Sequence, residues 1–454
     1  MALTVLILAA GQGKRMNSDR PKVLQPLGGR ALLAHVVDTA RALGAEAINV
    51  VYGHGAEDVQ GAFPDSDIDW TLQAEQLGTG HAVAQALPSI PPDHAVLVLC
   101  GDAPLVVPGS LESLLKSVPE NAIGLLTACL GDPSGYGRVV RDATGRITGI
   151  VEERDATPEQ RKLDEINTGV MVLPAQWLTE ALEKIGNDNS QGEYYLTDVI
   201  ALAVAENKEI VGSAASDPSE VLGINDRTQL ASAERIFQRR NAQRLLDRGV
   251  TLADPERFDL RGQLEVGRDV FIDVGAVFEG DVALGDRVHI GPNAVVSNSS
   301  LGDDCIVHAH CVVDGIVAGS RCEIGPFARL RPGTKFADQV KVGNFVEVKA
   351  SEIAAGSKMN HLTYVGDSSV GRDVNIGAGT ITCNYDGANK HRTTIGDRVF
   401  VGSGVMLVAP VHVGEGATIA AGSTITREAP AEELSIERSK QKSVQGWKRP
   451  KKTK

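Results

Sequence analysis

Six aliphatic residues near the end of the chain, Ile395, Val401, Leu407, Val413, Ile419 and Ile425, stand six residues apart without a slip. Gly, Ala or Val follows each until the last, and the pairs Leu284/Ile290 and Val370/Ile376 repeat the spacing. A period of six marks a parallel β-helix, in which about three hexapeptides complete one coil. Each aliphatic side chain points inward and stacks on its equivalent in the next coil, worth roughly 1.5–3 kcal/mol apiece. Residues of about 251 to 430 then predict nine or ten coils. Composition agrees, since 49 glycines and 4% aromatic residues in a 454-residue chain suit a fold of tight, regular turns.

Two stretches interrupt the period. "EVKASEIAAGSKMNHLTY" (347–364) disturbs the phase before Val370, and "ITCNYDGANKHRTT" (381–394) puts Ile395 one residue out of register with Ile376. A solenoid buries its core through its period, so both read as loops projecting from a rigid scaffold, where binding and catalysis usually sit. They carry His361, Tyr364, Asn384 and Tyr385.

The first half has another texture. Up to about residue 225, apolar runs such as "LTVLILAA", "AEAINVVYG", "HAVLVLCGD", "AIGLLTACL" and "NTGVMVLP" alternate with helical stretches such as "ALLAHVVDTARALG" and "GTGHAVAQALP". That alternation predicts an α/β domain with a mainly parallel sheet covered by helices on both faces. From Asn225, "NDRTQLASAERIFQRRNAQRLLDRG" places Leu230, Ala233, Phe237, Leu245 and Leu246 at roughly helical spacing before Gly249, and reads as a connecting helix with a solvated charged face. The expected division is 1–227, 228–250 for the helix, 251–437 for the β-helix, and a basic tail over 438–454.

A formal charge of −13 argues against a general nucleic-acid or anionic-membrane surface. Any bound phosphate must be met by a few local Lys or Arg residues. The six cysteines (100, 129, 305, 311, 322 and 383) form no CxxC pair, so neither a zinc site nor a thioredoxin-type motif is indicated. Cys305 and Cys311 lie near His308 and His310, but the repeat accounts for them as coil residues. The start "MALTVLILAAGQG" lacks a basic n-region, and its apolar run is short for a signal or a membrane span. A reducing cytoplasm is the expectation.

The loop in "LTVLILAAGQGKRMNSDRPKVL" (3–24) decides which phosphate chemistry is meant. A dinucleotide fingerprint needs a third glycine, where Met16 stands, and a P-loop needs G-K-[ST], which "GQGKRM" lacks. What remains is a glycine turn whose amides can cradle phosphates, with Arg15 and Lys22 supplying charge. Asp102 directly follows an apolar strand, where α/β sheets place ligands. A lone strand-end Asp can also be a helix cap or turn former, and Asn225 alone reads first as an ordinary N-cap.

"LAAGQGKRM-x4-PK" resembles the nucleoside-triphosphate loop of the sugar nucleotidyltransferases. "QAEQLGTGHA" (73–82), "CGDAPL" (100–105), "GYGR" (135–138), "IVEE" (150–153), "EINTG" (165–169) and "GIND" (223–226) match further motifs in order. The second half resembles the left-handed hexapeptide β-helix acyltransferases, and its handedness is implied by that resemblance alone. Together they cover nearly the whole chain. The chain is similar throughout to the bacterial bifunctional family that unites N-acetylglucosamine-1-phosphate uridylyltransferase with glucosamine-1-phosphate N-acetyltransferase.

The resemblance implies that Leu8, Ala9, Ala10 and Gly11 line the nucleotide, that Lys22 meets phosphate, and that Arg15 screens the leaving pyrophosphate. Gln73, helped by Gly78 and Thr79, is to pair with the uracil edge. Gly137, Glu152 and Asn167 are to hold the sugar, and Asp102 and Asn225 a Mg²⁺ ion. Cys100 stands where related enzymes often carry an aromatic residue, ahead of an intact Gly101–Asp102. In the β-helix the resemblance assigns His361 as proton acceptor, and Arg331, Lys349, Tyr364 and Asn375 to glucosamine-1-phosphate. Ala378, Asn384, Tyr385, Ser403, Ala421 and Arg438 fall to acetyl-CoA. It further implies a homotrimer with active sites between subunits.

The chemistry suits these residue types. In uridylyl transfer the nucleophile is a phosphate oxygen, largely ionised near neutral pH because its second pKa is about 6, so no side-chain base is needed. The site must supply position, cations and a metal. A hard Mg²⁺ ion favours one carboxylate plus substrate phosphates and waters. Acetyl transfer instead needs a base near pH 7, which histidine provides. Two other readings stand beside this one: a nucleotidyltransferase whose β-helix serves only oligomerisation or regulation, and a scaffold or exchange-factor subunit with a dead pocket. The final lysines read as a frayed, solvated end.

Overall fold

The computed structural model describes residues 2–11, 13–53, 55–64, 67–450 and 452. Its contacts divide the chain into two units that meet at Phe237/Gln238.

In the first unit the strands are β1 (Leu3–Leu8), β2 (Ala47–Tyr52), β3 (Ile68–Leu72), β4 (Ala95–Cys100), β5 (Ile123–Cys129), β6 (Arg138–Arg141), β7 (Ile147–Val151), β8 (Glu165–Pro174) and β9 (Ile210–Ala214). The sheet runs β9-β5-β8-β4-β1-β2-β3, with the β6–β7 pair attached to β8. β1 is parallel to both β2 and β4, whereas β8 is antiparallel to its two neighbours. Successive residues of β1 feed opposite cores, as a strand covered on both faces requires. Val5 and Ile7 pack with helices α1 (Leu32–Ala42) and α3 (Pro108–Ser117); Leu6 packs with α2 (Thr79–Ala86), α4 (Ala175–Leu182) and α5 (Asp198–Ala205). The carboxyl ends of β1 and β4, at Leu8 and Cys100, lie side by side. Asn167 pairs with Thr127 at the last regular position of β8 before a register shift that ends at Met171.

Helix α6 (Arg227–Asp247) runs through the boundary between units. Asp226 caps it, accepting from the Gln229 amide at 2.9 Å. The N-cap role open to Asn225 therefore falls to its neighbour.

The second unit is a parallel β-helix. Among the described residues one face carries eleven rungs, and two further faces run on through a 17-stranded ladder. Inward residues Ile272, Ile290, Val307, Ile324, Val342, Met359 and Ile376 pair from coil to coil at spacings of 17 or 18. Cys305 and Cys311 are buried in this core among them.

Here one expectation fails. Residues 347–364 are not a projecting loop; they continue the ladder through Glu347–Lys349, Glu352–Ile353, Lys358–His361 and Tyr364–Gly366. The aliphatic period fades because buried Ser351, Ser357 and Thr363 occupy inward or corner positions. The hydroxyls satisfy themselves on backbone carbonyls, as Ser357 Oγ does on Gly371 O at 2.6 Å. His361 consequently sits on a strand of the scaffold. Residues 384–391 do form an insertion: Val370 pairs with Ile395 and Ile376 with Val401, so this coil is 25 residues long.

Candidate active sites

The loop after β1 and the end of β4 frame the first site. Leu8, Ala9, Ala10, Gly11, Arg15, Lys22, Gln73, Gly78, Thr79, Cys100, Asp102 and Asn225 line one cavity of about 620 Å³. Gly101 stands behind them, its amide donating to Leu8 O at 2.9 Å. Gln12 lies outside the described residues. Gly13 is required by geometry, because its φ is +61° and a Cβ there would come within 2.6 Å of Lys22 Cβ. That close approach positions Lys22, whose ammonium contacts Asp102 and donates to Asn225 Oδ1 at 3.2 Å. The Ile224 amide, donating to Asp102 O at 2.9 Å, brings Asn225 alongside.

The residues fit a divalent ion. The Lys22 ammonium already touches both Asp102 and Asn225, so two oxygen donors converge on a point that holds positive charge. Such an ion would take its remaining ligands from phosphates and water, as a hard cation accepts. The surroundings of Cys100 disfavour its thiolate. Burial first, then the Asp102 charge, push its thiol up to about 12.

The sugar-directed residues also gather. Asn167 N donates to Gly137 O at 2.8 Å, and the Glu152 carboxylate lies against Gly137, where a Cβ would stand 3.4 Å from its oxygens. Burial raises the Glu152 pKa, opposed by a hydrogen bond from Thr197 Oγ1 at 3.0 Å. Gly169 links this group to the cavity, since a Cβ there would meet Cys100 Sγ at 2.8 Å.

In the β-helix, Asn344 and His361 pair across adjacent coils, and the chain repeats that corner through Ala378, Ser403 and Ala421. Asn344 Oδ1 lies 2.9 Å from His361 Nδ1. With the Asn344 amide turned so that its oxygen faces the ring, Nδ1 carries the proton and Nε2 presents a lone pair. Arg438 Nη1 donates to Ala421 O at 2.9 Å at the other end of this column.

A second group surrounds Lys349. Its ammonium lies 3.8 Å from Asp367, Asn384 Nδ2 donates to Asp367, and Tyr364 Oη is 3.4 Å from Asn384. Arg331 pairs with Glu347 at 2.8 Å, one rung from Tyr364. Asn375 stands apart on the eleven-rung face, between Lys358 and Phe400. Tyr385 is exposed at the base of the insertion.

Residues 5–163 match the MobA-like NTP transferase domain, 260–346 the GMPPB C-terminal domain, and 392–427 the bacterial transferase hexapeptide (six repeats). The bifunctional protein GlmU of Alkalilimnicola ehrlichii is 58% identical over 449 residues, covering 99% of this chain and 97% of its own. That of Marinobacter nauticus is 54% identical over 99% of both chains, and that of Acinetobacter baumannii 53% over 100% of both. The chain belongs to the GlmU family.

Around these sites the GlmU fold adds residues that no motif marked. Asn344 orients His361 from one coil away, at a separation of 17 that a six-residue pattern does not display. Asp367 sits between Lys349 and Asn384. Lys390, on the insertion, is brought against Lys349, and this second ammonium lowers its pKa. Two adjacent cations suit a phosphate. Among the described residues no helix is long and apolar enough to cross a membrane.

Proposed function

We propose that this enzyme makes UDP-N-acetylglucosamine in two steps, acetylating glucosamine-1-phosphate in the β-helix and joining the product to UMP in the first unit. Sequence identity to GlmU proteins along the full length of both halves supports the pair of activities over a β-helix used only for assembly. We assign 1–227 to uridylyl transfer, 228–250 to the connecting helix, 251–437 to acetyl transfer and 438–454 to the tail. The active species is a cytoplasmic homotrimer.

In the acetyl step, His361 Nε2 takes a proton from the sugar ammonium. The freed amine attacks the thioester carbonyl of acetyl-CoA, a C–N bond forms, the C–S bond breaks, and the second proton shed by the new amide nitrogen passes to the departing CoA sulfur, which leaves as the thiol. Asn344 holds the imidazole in the tautomer this needs. Lys349, with Lys390 and Arg331, receives the sugar phosphate beside Tyr364, while Asn375, apart from them on the eleven-rung face of its own chain, completes the acceptor site of a neighbouring subunit in the trimer. Ala378, Ser403 and Ala421 leave room along the column for acetyl-CoA, with Asn384, Tyr385 and Arg438 at its edges.

In the uridylyl step, a phosphate oxygen of N-acetylglucosamine-1-phosphate attacks the α-phosphorus of UTP. The new P–O bond forms as the bond to pyrophosphate breaks. Asp102 and Asn225 would hold Mg²⁺, which when bound neutralises charge developing on the phosphates. Lys22 then turns from these oxygens to the phosphates, Arg15 faces the leaving pyrophosphate, and Gly137, Glu152 and Asn167 orient the sugar. The single observation carrying this step is the convergence of Lys22, Asp102 and Asn225 beneath the glycine loop.

The test combines protein, glucosamine-1-phosphate, acetyl-CoA, UTP and Mg²⁺. Free CoA and pyrophosphate should both appear, and His361→Ala should lose the first while keeping the second when N-acetylglucosamine-1-phosphate is supplied. Pyrophosphate release without any CoA from the unaltered enzyme would return the β-helix to a purely structural role.

A further inference from the structure

Gln73 is 3% exposed, directly after β3, and its carboxamide is held from behind. Nε2 lies 3.1 Å from Gly78 O and 3.0 Å from His81 Nδ1. A backbone carbonyl only accepts, so it determines which end of the amide is nitrogen. Both N–H bonds are then committed, one to Gly78 and one to His81. Among the described residues no hydrogen bond reaches Oε1, and the side chain lines the nucleotide cavity.

The frame holding these two acceptors is rigid. Gly78 opens α2 with φ +112°, and a Cβ there would lie 2.5 Å from Tyr194 O. The Gly80 amide donates to Tyr194 O at 2.8 Å, and Leu196 N donates to Thr79 Oγ1 at 3.0 Å. His81 stands on the first turn of this helix. Because its Nδ1 accepts from Gln73, its proton sits on Nε2, and the exposed Gln85 carboxamide, whose Nε2 lies 3.2 Å away, accepts that N–H only by turning its Oε1 inward.

We infer that His81 is a positioning residue that makes Gln73 present a carbonyl oxygen to the base, so the cleft selects a pyrimidine with an N–H at ring position 3 over one with a bare nitrogen there. The inference rests on the proposal that Gln73 meets the base edge. Uracil offers that N–H; cytosine offers a lone pair, which Oε1 repels. A buried polar group left facing the wrong partner is how a site rejects an analogue.

Pyrophosphate release by the full-length enzyme, measured with UTP and with CTP, tests this. His81→Leu should lower the ratio of kcat/KM for UTP over CTP about tenfold, the worth of one buried hydrogen bond, with the change in KM rather than kcat. His81→Asn, whose Oδ1 can accept from Gln73, should restore most of the ratio. Gln73→Ala sets the floor, and a thermal melting curve for each variant reports whether the first unit has folded. Should His81→Leu not fold, His81→Ala carries the same expectation. If Gln73→Ala leaves the ratio unchanged, the base-edge reading itself is wrong. If Gln73→Ala lowers it while the His81 variants stay within twofold of the unaltered enzyme, the positioning role alone is overturned.

Discussion

Replacing Gly13 with alanine strikes the first site through its backbone. At φ +61° an alanine costs about 1–2 kcal/mol relative to glycine. The new Cβ would also lie 2.6 Å from Lys22 Cβ, and an ordinary contact begins near 3.4 Å, so one of the two must retreat by nearly an ångström. Lys22 is only 11% exposed, and its ammonium is committed to Asp102 and Asn225, so a retreat of its stem moves the cation itself. A misplacement of about 1 Å in a positioned group costs on the order of 10²-fold in rate. We expect G13A to lower kcat/KM for pyrophosphate release by about 10- to 100-fold and to destabilise the first unit by about 1–2 kcal/mol. CoA release should be unchanged. Gly11→Ala makes the contrast: among the described residues no atom beyond its chain neighbours lies within 4 Å of the added Cβ, so thermal unfolding should not shift while the KM for UTP rises as the methyl meets the nucleotide. Both activities, with a melting curve for each variant, give the comparison. G13A working within twofold of the unaltered enzyme, or losing CoA release in step with pyrophosphate release, would refute the reasoning.

Two further outcomes follow from the same geometry. Asn344→Ala removes the partner of His361 Nδ1; because that bond is exposed and water can replace it, its worth is about 0.5–1 kcal/mol, and kcat for acetyl transfer should fall roughly two- to fivefold with uridylyl transfer intact. A kcat identical to the unaltered enzyme would show that Asn344 does not set the tautomer. Glu152 has its folded-state pKa raised above the usual 4.5 by burial, so its carboxylate is lost earlier than an ordinary glutamate's as pH falls. The linkage sign is that ionising it costs the folded state stability as pH rises from 4.5 through the raised value. Binding runs the other way: KM for N-acetylglucosamine-1-phosphate, taken as a ratio to Glu152→Gln so that the substrate's own titration cancels, should climb as pH falls through that value. A flat ratio would remove Glu152 from the sugar site.

Much of this architecture is legible in linear order. The hexapeptide period specifies a solenoid because stacked aliphatics need only recur at a fixed interval, and the apolar runs with helical spacers specify a covered, mainly parallel sheet. The glycine loop and Asp102 directly follow the strands that present them, so local pattern sufficed to find both. The stretch 347–364 was misread because hydroxyl side chains can fill a coil's interior when carbonyls are in reach, which erases a hydrophobic period without breaking the helix. The insertion at 384–391 was readable because it changes a count, and counts survive any choice of side chain.

Sequence by itself determined what repeats and what punctuates: two folding units, a phosphate turn, a coil period and the residue types that chemistry needs. Only tertiary structure decided which side chains face one another. Asn344 reaches His361 across 17 residues, Gln73 reaches His81 around a helix start, and Lys22 reaches Asn225 across 203 positions. Such pairings arise from closure of the chain in space, where a hydrogen bond depends on distance and angle, and neither is written in the order of the residues.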